Sequence, residues 1–214
     1  MPEPCLTISL HVIHPHPHTK LPADWTYGER ESLQPGPVAQ IRPLPYRLGV
    51  IRPATAADLP GICLLIRAFA IHEDVAAQLD LDEGRLRDDL FGSHPRAEVV
   101  VATDGDSLIG FALFCDKYST LLGQPGLYID DLFVMADHRG RGLGARLLAA
   151  VARMARDRGY TRVEWSVLDS NESAARFYRS LGAIPMAGRT TYRLHDDALV
   201  SLAGGSATEP PHRT

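Results

Sequence analysis

Apolar residues along this chain fall into short blocks whose spacing changes repeatedly. The stretch 47–52 is a short apolar run closed by Pro53, the pattern of a strand. Behind Asp58, Leu59, Ile62, Leu65, Ile66 and Phe69 recur at three- and four-residue steps, which predicts a helix with Asp58 as its N-cap. A second helix is predicted over 81–90, stopping near Gly92. The runs 99–101 and 108–114 read as strands, and Asp104-Gly105 between them is a hairpin signal. Another strand spans 127–135, and Leu143, Leu147, Leu148, Val151, Met154 and Ala155 form the stripe of a helix ending at Gly159. A strand over 161–168 carries Val163, Trp165 and Val167 on one face. Ser170 or Asn171 caps a helix with Ala174, Ala175, Phe177 and Tyr178, closed by Gly182, and 190–194 is the last predicted strand. Antiparallel strands followed by a strand–helix–strand–helix–strand unit predict an α+β fold, a mixed and mostly antiparallel sheet of six or seven strands flanked by helices.

The two ends of the 214-residue chain break this pattern. Residues 1–46 hold nine prolines and the run His14-Pro15-His16-Pro17-His18, with no sustained periodicity. Proline removes donors and restricts its predecessor, so a mobile extension is expected there, with 6–13 as a locally docked strand at most. The His-Pro run lacks interleaved acids or thiolates, and no metal site is expected. Residues 47–202 are the expected domain, and 203–214, with Gly204-Gly205-Ser206, read as a disordered tail. A composition of 45% hydrophobic and 22% charged residues is that of a soluble globular chain. A formal net charge of -4 argues against nucleic-acid binding, and no run is long and apolar enough to imply a membrane partner. Cys5, Cys63 and Cys115 are an odd set without metal spacing, which fits a reducing, cytoplasmic setting.

Chemistry concentrates where the strand over 127–135 gives way to a helix, at Arg139-Gly140-Arg141-Gly142-Leu143-Gly144. Glycines at a helix N-terminus let successive N–H groups converge on an anion, and the helix dipole adds to the attraction. A Walker loop would need Gly-Lys-Ser or Gly-Lys-Thr, which is absent. A dinucleotide-binding unit would place its glycines early, with an acid about twenty residues on. A tight turn that merely starts a helix stays open on this segment alone.

The spacing Arg139-x-x-Gly142-x-Gly144 resembles the pyrophosphate motif of the GNAT acetyltransferase superfamily. The run from Ile51 to Asp58 resembles the opening of its diamine (spermidine/spermine and thialysine) acetyltransferases. So do Phe91-Gly92-x-His94-Pro95, Gly110-Phe111-Ala112, Phe133-Val134-Met135 and Phe177-Tyr178-Arg179-x-x-Gly182-Ala183. The resemblance covers roughly residues 48–200. It implies acetyl-CoA as co-substrate, a small-molecule amine as acceptor, no metal, and a homodimer.

It also implies a division of labour. Gly140, Arg141, Gly142, Leu143, Gly144 and Ala145, with Arg139, would receive the pyrophosphate. The N–H groups of Leu132, Phe133 and Val134 would pair with the pantetheine arm, as would Asn171, which is equally a helix cap. Tyr178 matches the general acid for the thiolate. Asp130 stands where a glutamate typically receives the amine proton, and is one methylene shorter. Strand alternation would put Tyr128, Asp130, Leu132 and Val134 on one face and Leu127, Ile129, Asp131 and Phe133 on the other. Asp130 and Asp131 are then not expected to act as a close dyad. On the acceptor side, His72 and Glu73 match amine-contacting positions, whereas Ala76 and Ala77 stand where acids are common. Glu164, Trp165 and Ser166 lie on the strand that lines the acceptor cleft, with core packing the other reading of Trp165.

These features lead us to expect an N-acetyltransferase acting on a small primary amine: a diamine, a polyamine or a lysine-like amine. A protein N-terminal or lysine acetyltransferase, and a non-catalytic acyl-CoA-binding module, are the alternatives.

Overall fold

The computed structural model describes residues 49–186 and 190–204. The Pro/His-rich extension, its candidate strand over 6–13 and the tail beyond Gly204 lie outside the described residues. Five strands make one sheet in the order β1-β2-β3-β4-β5: Val50–Pro53, Glu98–Asp104, Ser107–Ser119, Gln124–Val134 and Val163–Trp165. The first four are antiparallel neighbours, and β5 runs parallel to β4. The α+β class therefore holds, with five strands among the described residues rather than six or seven.

The sheet separates two cores. On one face α1 (Leu59–His72) and α2 (Glu83–Phe91) cover a cluster that includes Ile62, Phe69, Phe111 and Phe133. Phe133 sits edge-on to Phe69 at 5.9 Å and tilted to Phe111 at 6.5 Å. On the opposite face, α3 (Leu143–Asp157) and α4 (Glu172–Ser180) close a second cluster containing Leu127, Ile129, Leu132, Val134, Leu147 and Tyr178. In α3 the buried Leu143, Leu147, Val151 and Ala155 recur every four residues, the apolar stripe that the sequence predicts. Burying each large apolar side chain contributes about 1.5–3 kcal/mol, and this anchors the helix start against the end of β4. Gly110 permits the close approach of β3 to β4, since a Cβ there would come within 2.8 Å of the Phe133 carbonyl oxygen.

Two predicted strands change. Of 161–168, only Val163–Trp165 pairs. Residues 190–194 form no strand; all five are exposed, and β-favouring Thr190, Thr191 and Tyr192 cannot make one without a ladder partner. They belong to a second unit, 184–214, whose described part contains a short helix α5, Asp196–Leu202.

Asp58 occupies the N-cap of α1 as expected, but its carboxylate does not cap the helix. It turns back to form a fork with the Arg52 guanidinium, at 2.7 and 2.8 Å. It also accepts from the Thr55 backbone N–H at 2.7 Å and hydroxyl at 2.9 Å. The bonded Arg52 guanidinium holds this carboxyl well below the usual carboxylate range. Asp58→Ala should cost about 1–2 kcal/mol near pH 7. A depressed folded pKa gives stability that is lost as pH falls, so the gap between the proteins should close below about pH 4 in urea titrations.

Candidate active site

The site follows from how β4 ends. Leu113 pairs with Asp131 while Phe114 pairs with Ile129, so Asp130 is an extra residue, a β-bulge. The bulge resets the alternation. Leu127 and Ile129 face the α3 core, and so do Leu132 and Val134 beyond the bulge. Asp131 and Phe133 turn to the α1 face, which Tyr128 also occupies. The uniform alternation expected from the sequence is thus corrected, because it had no means of counting the inserted residue.

Past the bulge β4 loses its β5 partner. Pairing with β5 stops at Ile129 opposite Trp165, yet β4 continues to Val134 along β3. The Met135 N–H donates to the Ile109 carbonyl at 2.9 Å. Alternation then turns the Phe133 N–H toward β3, and those of Leu132 and Val134 toward the vacated edge. Sequence reasoning grouped all three N–H groups; the geometry separates Phe133, whose ring joins the α1 core.

The glycine loop continues from this edge. Gly140 and Gly142 both take positive φ, 73° and 72°, which a side chain would strain. Gly142 is the N-cap of α3, and the first intrahelical bond runs from the Arg146 N–H to the Gly142 carbonyl at 3.1 Å. The N–H groups of Leu143, Gly144 and Ala145 therefore precede the helical ladder and point out of its N-terminus. Arg139 reaches back along β4: its Nε donates to the Val134 carbonyl at 2.8 Å, and its guanidinium lies 5.4 Å from the Phe133 ring centre. Asn171 caps α4, accepting from the Ala174 N–H at 3.0 Å.

Two buried polar atoms near this edge, the Tyr178 hydroxyl and Asp131 Oδ1, have no hydrogen-bond partner among the described residues. Tyr178 packs against Trp165 at 5.0 Å and Phe177 at 5.4 Å, and burial pushes its phenol well above the usual range. Trp165 thus belongs to the α4 core, while its neighbours Glu164 and Ser166 face the other way. Ser166 Oγ lies 2.8 Å from the Tyr128 hydroxyl, and Glu164 pairs with Lys117 at 3.1 Å. Asp131 is 6% exposed, and its carboxyl is pushed up to about 8, by burial first and then by the charges of Asp130 and Glu73. Those two lie within electrostatic reach at the bulge and at the end of α1. His72 beside them tilts over Phe133 at 6.0 Å, its pKa lowered by burial and by Arg139 against the pull of Glu73.

A glycine loop with free helix N–H groups thus adjoins a strand edge that β5 has left, with a buried acid and a buried phenol near it. The sequence profile of the Acetyltransferase (GNAT) family matches residues 65–183. The chain belongs to the GNAT acetyltransferase family.

Among its relatives, this GNAT protein is 32% identical over 166 residues to the thialysine N-epsilon-acetyltransferase of Sus scrofa, covering 72% of this chain and 97% of that one. It is 29% identical to an L-ornithine N5-acetyltransferase of Arabidopsis thaliana, over 79% and 94% of the two chains. An integron cassette protein from the mobile metagenome of V. cholerae superposes with a TM-score of 0.60 at 26% identity, over 72% and 96%.

Asp131 is the acid that sequence reasoning set aside and that the structure buries beside this edge. Its signal was present as two adjacent acids in an apolar strand, but the bulge decides which of them is buried. A raised folded pKa means that folding favours the neutral acid, so this group's contribution to stability is lost as pH rises from about 4 to about 8. Asp131→Asn, a permanently neutral mimic, should therefore gain thermal stability over the unsubstituted protein across that window, by at most about 1.4 kcal/mol per pH unit. Differential scanning fluorimetry at pH 5 and pH 8 would show the gap widening; a constant gap would contradict the assignment.

Proposed function

We propose that this GNAT protein transfers the acetyl group of acetyl-CoA to a small primary amine, a diamine, polyamine or lysine-like amine, by direct attack of the amine. The observation that carries this reading is a pair of buried groups without partners among the described residues, Asp131 Oδ1 and the Tyr178 hydroxyl, on opposite faces of the β4 edge that β5 has left. The similar proteins named for thialysine and ornithine support an acceptor of this size.

The residues fit the co-substrate. Leu132 and Val134 N–H groups would bond an extended amide chain as an added strand would. Gly140, Arg141, Gly142, Leu143, Gly144 and Ala145 would hold the diphosphate, with Asn171 beside the pantetheine arm and Arg139 holding the loop against β4. Acetyl-CoA supplies an activated thioester when bound.

On the acceptor side, His72, Glu73 and Asp130 would position an ammonium, with Glu164 and Ser166 further along the cleft. A free ammonium has a pKa of about 10.4, so attack requires removal of a proton. Asp131, which holds a proton far more strongly than an ordinary carboxylate, or Asp130 beside it would take it. Tyr178 keeps its proton throughout the working range and would deliver it on the leaving-thiol side. The reading extends to a reducing, cytoplasmic setting, supported by the unpaired thiols of Cys63 and Cys115, and to a homodimer, which the family resemblance implies.

A screen of amines with acetyl-CoA, followed by thiol release, tests the reading directly. Turnover of a small amine is expected; tight acetyl-CoA binding without turnover across the panel would make the protein a binding module instead. Tyr178→Phe should lower kcat by about 100-fold. It deletes a buried hydroxyl that has no partner, so thermal stability should not fall, which separates lost chemistry from lost folding. The pH profile of kcat/KM should rise toward about pH 8 and flatten in Asp131→Asn. If Asp130→Asn alone flattens it, Asp130 is the proton acceptor.

A further inference from the structure

The acceptor face of β4 continues outward beyond the acids, and its charge reverses. Lys117 on β3 extends over the Tyr128 ring, with its ammonium 4.6 Å from the ring centre and 3.1 Å from Glu164. Arg162 approaches the other oxygen of Glu164 at 3.7 Å. Its remaining nitrogens donate to the backbone carbonyls of Gln124 and Lys117, at 3.1 and 2.5 Å. One carboxylate is thus shared by two cations, and this end carries a positive excess. Asp116 stands opposite Leu127 and so on the α3 side of the sheet, where it meets Tyr160 at 3.1 Å and Arg158, itself paired with Glu98, at 3.5 Å.

This face of the sheet is polarised as a result. Glu73, Asp130 and Asp131 stand at its inner end, and the Lys117 ammonium stands over Tyr128, three positions before Asp131 on the same face. With strand rise and a bulge, that is a separation of roughly 7–10 Å. A long polyamine bound by its terminal ammonium would bring a second cation toward Lys117. An amine with a carboxylate at that distance would meet a complementary charge at each end. Lysine supplies three rotatable donors, of which Glu164 engages one.

We infer that Lys117 is a specificity determinant: it receives the carboxylate of the acceptor, so the protein selects a side-chain amine of an amino acid over a carboxylate-free polyamine. The inference rests on the amine-acetylation reading above.

A matched pair of substrates isolates it. L-Ornithine and putrescine differ by the carboxylate alone, and the measured quantity is the ratio of their kcat/KM values. The unsubstituted protein should favour ornithine by about tenfold or more, the scale of one charge-assisted contact at a half-exposed site. Lys117→Met keeps the stem over Tyr128 and removes the charge; it should lower the ratio by about tenfold, through the KM for ornithine. Lys117→Arg should restore it, and Glu164→Gln, which frees the ammonium, should raise it. Preference for putrescine, or a ratio unmoved in Lys117→Met, would overturn the inference. Should neither amine turn over, acetylation of small amines fails as the activity. Calorimetric binding of the same pair with CoA present then decides the inference alone: ornithine selectivity lost in Lys117→Met supports it, and equal binding of the two overturns it.

Discussion

The inserted residue at Asp130 is the constraint from which the site follows. A strand that keeps strict alternation sends every second side chain to the same face. One extra residue in β4 re-aims all that follow, so that Asp131 and Phe133 enter the α1 face while Leu132 and Val134 close the α3 core. The bulge also marks where β4 and β5 part, since their ladder stops at Ile129 and Trp165. A bare strand edge inside a domain is normally a hazard that invites unwanted pairing. Here it is short, flanked by buried aromatics, and runs directly into the glycine loop at the start of α3.

The polar atoms around that edge carry a cost in the free protein. A buried acid oxygen and a buried phenol without partners each forfeit hydrogen bonds that water would supply, on the order of 1–3 kcal/mol apiece. The two aromatic-rich cores offset this, with Phe69, Phe111 and Phe133 on one side and Trp165, Phe177 and Tyr178 on the other. Folding therefore holds two ionisable groups in protonation states that water would not favour over so wide a pH range. The Asp131 carboxyl retains its proton far above the usual range, and the Tyr178 phenol retains its own beyond any working pH. Their environments push both upward, and a bound ammonium beside Asp131 would draw only that one back down.

What was legible in the sequence is what depends on local periodicity. The stripes of α1 and α3, the hairpin between β2 and β3, and the glycine N-terminus of α3 all appear where spacing and turn residues put them. What failed depends on a partner far away in the chain. The strand over 161–168 shrank to three residues because β4 offers it only three positions. Residues 190–194 have strand-like composition and no ladder. Asp130 and Asp131 could be recognised as a costly pair, but their orientation is set by pairing with β3, which no local rule contains. Asp58 shows the same limit at smaller scale, correctly placed as an N-cap yet drawn away from the helix by Arg52.

The same reasoning explains why the charge pattern of the cleft is invisible in linear order. Lys117, Tyr128, Glu164 and Arg162 come from three segments and meet only because β3, β4 and β5 lie side by side. Read singly, each is an ordinary surface residue of a slightly acidic protein. Assembled, they place a cation on the strand face that carries the acids two or three positions further on. The edge of β4 and the glycine loop that would hold the donor come from one continuous segment, so that part can be read from a motif, whereas Asn171 and Tyr178 come from α4. The proposed acceptor side draws on α1, β3, β4 and β5, so its selectivity would be a property of packing, open to change by single substitutions such as one at 117.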